Sequence, residues 1–503
     1  MIPGCFKPAL IQAHSWTRAV TLGAAVVAIC GAAPWGVSLR AAAEPRSARG
    51  PTTTGDELWV ATFDGIAGGS DFARDIGVSP DGSTVFVTGS IRDSDGGDDF
   101  ATMAYDPAAG SKKWLAYYTG LTGFGGTANA LAVSPDGSRV YVTGWSPGIG
   151  GLDYATIAYD AVTGVELWAA RFSRSPDSDD EPWSLAVSPD GSRVFVTGFS
   201  TGPTSQRDWA TVAYDAITGT PVWVKRHNGP AKQDDNASDL AVSPDGTTLF
   251  VVGTEWGTAS FADAAIVAYS TSDGTARWAR RYDGPAHKDD YAISVAVAPD
   301  GTEVYLTGGS SAVSGASDYV TMAFGASDGT KRWLRRYNGP ARSEDNATDL
   351  QVTPDVGMVV VTGWSMAQQG QPQYTTIAYD SSSGATVWVT RSDQDAYATD
   401  VAISADGTQA FVTGEAGSTP GFDYSTVAYS VATGDQLWGS RYDGTGHNDD
   451  EAIRLSPSPT GDAVYVTGSS LSPTGSFDWA TVAYAAESQV TGTITSAQTA
   501  RPI

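Results

Sequence analysis

The chain has 503 residues, enough for a large core, and its 56 acidic against 30 basic side chains give a formal charge of -26. Nucleic acid and anionic lipid repel such a polyanion, which excludes both as partners. Its two cysteines, Cys5 and Cys30, both lie within the first 43 residues, so thiol and disulfide chemistry are excluded from the rest.

In chain order, residues 1–43 read as a secretory signal peptide. Lys7 and Arg18 precede an apolar run from Ala19 to Leu39, and Ala41–Ala43 supply small residues for cleavage. Cleavage removes Lys7, Arg18 and Arg40 and no acid, taking the charge from -26 to -29. An uncleaved anchor and lipidation at Cys30 are the alternatives, each poorly matched by the residues around it. The expectation is a secreted or cell-envelope protein, monomeric and without a transmembrane span after cleavage. Residues 44–56 read as a linker, 57–486 as a repeat array, and 487–503 as a polar tail.

Eight copies of one segment fill the array. Their first turns fall at Ser79, Ser134, Ser188, Ser243, Ala298, Thr353, Ser404 and Ser458, a spacing of 51 to 55 residues. A period of that length with short β-rich runs means stacked blades. In the second copy "ALAV", "RVYVTGW", "DYATIAYD" and "VELWAARF" are four strands separated by turn residues, hence one four-stranded antiparallel blade. The eighth copy stops before its fourth strand, while Glu57–Phe63 is a fourth strand with no blade before it. The predicted fold is all-β, an eight-bladed β-propeller whose ring the amino-terminal strand closes.

Ala158-Tyr159-Asp160-Ala161-Val162-Thr163-Gly164-Val165-Glu166-Leu167-Trp168 resembles the AxDxxTGxxxW docking motif of quinoprotein (PQQ-type) eight-bladed propellers, and Ala213 to Trp223 repeats it. The resemblance implies that Trp59, Trp114, Trp168, Trp223, Trp278, Trp333, Trp388 and Trp438 pack between blades. Eight aromatics at one repeat position argue for the same interface role. Catalytic members of that family carry an adjacent cysteine pair, calcium ligands and long inserts around the quinone. This chain lacks the cysteines and has no room for the inserts, and so is closer to noncatalytic secreted or cell-surface members.

The turns "SPDG" and "AVTG" belong to one face of the ring, and the longer connections to the other, where binding is expected. Asp71, Asp180, Asp235, Asp290, Asp345 and Asp450, eight residues before their turns, are candidates for an acidic binding face there, or for local capping of the backbone. Asp93, Asp95 and Asp98 form a Gly-rich acidic loop that is a candidate calcium site without the spacing of an EF-hand. No catalytic set emerges, and the residues that break the repeat pattern are Trp145, Glu255, Trp256, Trp364 and Glu415. The leading expectation is an exported noncatalytic scaffold binding a protein, glycan or envelope partner, with no cofactor. The alternative is a PQQ- and calcium-dependent dehydrogenase of alcohols or sugars, with a metal-dependent hydrolase behind it.

Overall fold

Each blade begins from turn chemistry written into "SPDG". The Ser134 hydroxyl donates to Asp136 (2.6 Å), Asp136 accepts the Ser138 N–H (3.0 Å), and the Arg139 N–H donates to Ser134 Oγ (2.9 Å). Gly137 closes the turn at φ +70°, where a side chain would be strained. The Ser134 hydroxyl, with the Ser138 donors, holds the Asp136 carboxyl down at about 2. These aspartates build hairpins.

The computed structural model describes residues 53–487 apart from 66, 95, 122, 124, 203–205, 259–260, 393–394 and 418–420. The segment 1–43 read as a signal, most of the linker, Asp95 and the tail beyond 487 lie outside the described residues. Eight four-stranded antiparallel sheets follow one another. In seven the strands run in chain order from the axis outward. The eighth consists of Asp450–Pro457, Ala463–Leu471, Phe477–Ala485 and, outermost, Glu57–Phe63. Val60 lies opposite Val482, so the amino-terminal strand closes the ring as expected.

The docking motif has a physical reading. All eight tryptophans are 6 to 9% exposed. Trp114 lies flat on Gly164 of the next blade, where a Cβ would come within 2.6 Å of the indole. Its ring N–H donates to the Ala161 carbonyl at 2.9 Å. The same bond recurs from Trp59 to Pro107, Trp168 to Ala216, Trp223 to Thr271, Trp278 to Ala326, Trp333 to Ser381 and Trp388 to Val431. Trp438 abuts Gly55 at the seam, where no continuous turn joins the last two strands, and among the described residues its N–H has no partner.

The glycine of "VTG" is equally determined. Every innermost strand carries a β-bulge, as between Ala73 and Asp75 or between Ala452 and Arg454. The bulge presses a carbonyl onto the neighbouring strand, so a Cβ on Gly89 would lie 2.0 Å from the Phe72 oxygen. Past the bulge the alternation of faces shifts by one. That shift turns the residue four positions before each first turn away from the blade core.

Candidate binding site at the axial channel and its mouth

The innermost strands touch their neighbours all round the ring, from Phe72–Val78 against Asp450–Pro457 to Thr127–Val133. The residues turned inward by the bulge are Asp75, Ala130, Ser184, Asp239, Ser294, Asp349, Asp400 and Arg454. Each aspartate accepts a backbone N–H from an inner strand further round: Leu131 to Asp75 (2.7 Å), Val295 to Asp239 (3.0 Å), Val401 to Asp349 (3.2 Å) and Leu455 to Asp400 (2.7 Å). Ser184 and Ser294 donate to Asp239 and Asp349 at 2.8 and 2.6 Å.

Arg454 is the one cation of this ring. Its side chain is 45% exposed, with Nη1 3.6 Å from Asp400. Burial works against its charge, but Asp400, Asp75, Asp349 and Asp239, from four different blades, together outweigh that and hold it protonated. Burial pushes Asp239 up to about 6 and raises Asp75 and Asp400 as well. The lumen is thus a mostly acidic collar. These residues lie outside the candidates predicted from sequence, although four aspartates and one arginine at one offset are a readable signal.

On the loop face, the six candidate aspartates lie beneath the loops. Asp71, Asp180, Asp235, Asp290, Asp345 and Asp450 are each at most 1% exposed. Their carboxylates accept backbone N–H groups, Gly229 and Trp256 on Asp235 at 2.6 and 2.8 Å, and Gly339, Gly444 and Arg174 on Asp345, Asp450 and Asp180 at 2.6, 2.6 and 2.9 Å. Gly65 and Arg92 do the same for Asp71, and Gly284 for Asp290. Burial raises Asp71 and Asp235 to about 6 despite these donors. The exposed negative charge of the face comes from the residue just before: Asp179, Asp234, Asp289, Glu344 and Asp449. Each accepts one N–H from the third strand of the preceding blade, as Leu152 gives to Asp179 at 3.1 Å and Arg207 to Asp234 at 3.0 Å.

A second network lies at the start of the third strands. Arg171 grips Asp153 (2.8 Å) and Ser146, Arg226 grips Asp208 (2.7 Å) and Ser200, and Arg336 grips Asp318 (2.9 Å) and Ser310. Arg391 uses Gln373 instead. At the seam Thr62 takes the arginine position, and Asp478 rises to about 6 through burial and the charges of Asp64 and Asp71.

Three carboxylate triads bring one oxygen from each residue within 4.8 Å of the others: Asp64–Asp71–Asp478, Asp263–Asp283–Asp290 and Asp423–Asp443–Asp450. Oxygen donors of this kind suit calcium. Arg281 and His287 already pair with two members of the second triad, and Arg441 and His447 with two of the third. In the acidic loop weighed as a calcium candidate, two of the three aspartates are described. Asp93 accepts the Gly97 N–H at 3.1 Å and Asp98 pairs with Arg92 at 3.0 Å, while Asp95 lies outside the described residues.

The pattern-breaking residues divide in two. Glu255 is spent on His227 (2.7 Å) and Arg281 (3.8 Å), and Trp256 packs on Phe261. Trp364 and Glu415, on second strands of successive blades, both flank Tyr397: Trp364 by ring contact and Glu415 as its cross-strand partner. Trp145 holds the corresponding place opposite Thr127.

PQQ is a flat quinone bearing three carboxylates, so its seat must supply cations. Trp183, 37% exposed on a bulge, offers one aromatic surface. The innermost strands also carry Asp75, Asp239, Asp349, Asp400, Glu181 and Glu451, with Arg74 and the already engaged Arg454 as their positive charges. This donor set does not fit a tricarboxylate.

Residues 153–317 match the PQQ-type repeat family described as "Outer membrane protein assembly factor BamB". No curated protein matches the chain. Among solved structures, Sqt1 of Chaetomium thermophilum bound to the N-terminus of the ribosomal protein L10 is 16% identical, with a TM-score of 0.56 over 84% of this chain and 98% of that one. A quinohemoprotein alcohol dehydrogenase from Comamonas testosteroni is 13% identical, with a TM-score of 0.54 over 86% of this chain and 77% of that one. At such identities what is shared is the propeller fold.

Proposed function

We propose, for a propeller built of PQQ-type repeats, that it is an exported noncatalytic scaffold whose loop face binds a positively charged segment of a partner protein. The observation that carries this reading is the repeated exposed acid at Asp179, Asp234, Asp289, Glu344 and Asp449, set around a collar with four aspartates to one arginine. Low-dielectric walls focus such a field and draw a cationic chain toward the axis. Five acids repeated at one offset serve binding better than catalysis, which needs one group unlike its copies. Sqt1, a propeller of similar fold, has been seen with a peptide N-terminus bound. Residues 1–43 supply the export signal, and among the described residues no helix is long and apolar enough to cross a membrane.

The test is the affinity of the full chain for a fluorescent oligolysine peptide at low salt. Changing the five exposed acids together to Asn or Gln keeps an acceptor for each backbone N–H and removes the charge. The expected result is binding weakened by a factor of ten or more, with the melting temperature nearly unchanged. Equal affinity of the parent and the neutralised chain, or no binding by the parent, contradicts the proposal.

A further inference from the structure

The mouth of the channel is ringed by eight pairs of residues, one on each innermost strand and one on the strand beside it. They are Phe72 and Ser90, Thr127 and Trp145, Glu181 and Phe199, Asn236 and Thr254, Tyr291 and Gly309, Asn346 and Trp364, Tyr397 and Glu415, and Glu451 and Ser469. On the second strands Glu415 is the one acid among the eight. Around it the ring is uneven. Tyr397 stands opposite it, and the Tyr397 ring meets Trp364 edge-on at 5.4 Å on one side and Phe422 at 6.1 Å on the other.

Glu415 is half-buried, and among the described residues its carboxylate receives no hydrogen bond and no ion pair. Its charged neighbours are acids, Glu451 and Asp449. Burial, then the charge of Glu451 and that of Asp449, pushes its carboxyl up to about 7. Arg74 lies beyond Glu451 and acts on that side chain. Two buried acids elsewhere are paired, Glu255 with His227 and Asp153 with Arg171. At Glu415 the fold supplies three aromatic rings and two further carboxylates, and among the described residues no hydrogen bond reaches the Glu415 carboxylate.

Aromatic faces and carboxylates attract the same kind of guest, a compact organic cation whose methylene stem lies against the rings while its head meets the acids. A calcium ion would need six or more oxygens, which rings deny it. We propose that Trp364, Tyr397 and Phe422 together with Glu415 and Glu451 form a pocket for an alkylammonium group, the side chain of a lysine on the partner protein. The site rests on the binding role of the loop face and names its anchor. The exposed acids collect a basic segment by long-range attraction, and this notch takes one lysine of it.

The experiment uses the full chain and a fluorescent pentalysine peptide, with Kd from anisotropy and stability from thermal melting. Glu415→Gln preserves shape and removes repulsion between acids, so it is expected to melt no lower than the parent while weakening binding about tenfold. Trp364→Leu is expected to lose affinity to a similar degree, and Thr254→Ala, at an equivalent mouth position on a blade outside the pocket, to leave Kd unchanged. If the peptide binds and the five exposed acids matter, but neither Glu415→Gln nor Trp364→Leu changes Kd, the pocket is overturned and the acidic face stands. If the parent does not bind the peptide, both fall.

Discussion

At the scale of the residue, the chain carries two opposite populations of carboxylates. The turn aspartates such as Asp81 and Asp136 are held at about 2, first by the hydroxyl of the turn Ser and then by donors two residues on. The acids inside the ring are raised: Asp71, Asp235, Asp239 and Asp478 to about 6 and Glu415 to about 7, each through burial first. A raised acid binds its proton more tightly folded than unfolded. The stability it contributes is therefore complete below its unfolded value near 4 and is lost as pH climbs through the folded value. The lowered turn acids act the other way, and their contribution vanishes as pH falls from about 4 toward about 2. The melting temperature should peak at about pH 4 and drop by about 2–5 °C on the way to pH 8. A melting temperature that rises steadily from pH 5 to pH 8 would show that these acids are not buried as described.

At the scale of the element, the seam is the least regular part of the ring. Six outer strands carry an arginine three residues after the docking tryptophan, and Glu57–Phe63 carries Thr62 there. Thr62 faces Ala480 in the register in which Arg226 faces Ala210, so an arginine at that place would reach Asp478 and Ser470 as Arg226 reaches Asp208 and Ser200. Thr62→Arg is expected to stabilise the chain by about 1 kcal/mol, the gain of charge-assisted hydrogen bonds less the cost of ordering the side chain. Urea denaturation at neutral pH would measure it, and a lower midpoint would mean that the seam does not share the register of the other blades. The closing strand itself was legible, because a missing fourth strand at one end and a surplus one at the other can be read without coordinates. The direction of the lumen side chains was not. Strict alternation from Asp235 places Asp239 on the buried face, and only the bulge between Ala237 and Asp239 turns it to the axis.

At the scale of the whole molecule, repetition makes architecture easy to read and function hard. Eight near-identical units specify strand order, docking tryptophans and closure, whereas a binding site depends on the few places where copies differ. Glu415 and Trp364 stand out as departures from the pattern, but their meeting across Tyr397 required the ring to be assembled. Of two adjacent acids such as Asp234 and Asp235, sequence pointed to the one that the fold buries, since both sit in the same polar loop. The central claim is that the loop face, with its acids and its mouth pocket, is where a cationic partner docks. Hydrogen exchange of the full chain with and without bound oligolysine tests it most directly. Protection is expected in the loops of 174–180, 228–235, 283–290 and 443–450 and around Glu415, with none at the opposite turns headed by Ser134, Ser188 and Ser243. Protection confined to those turns, or absent at saturating peptide, would contradict the account.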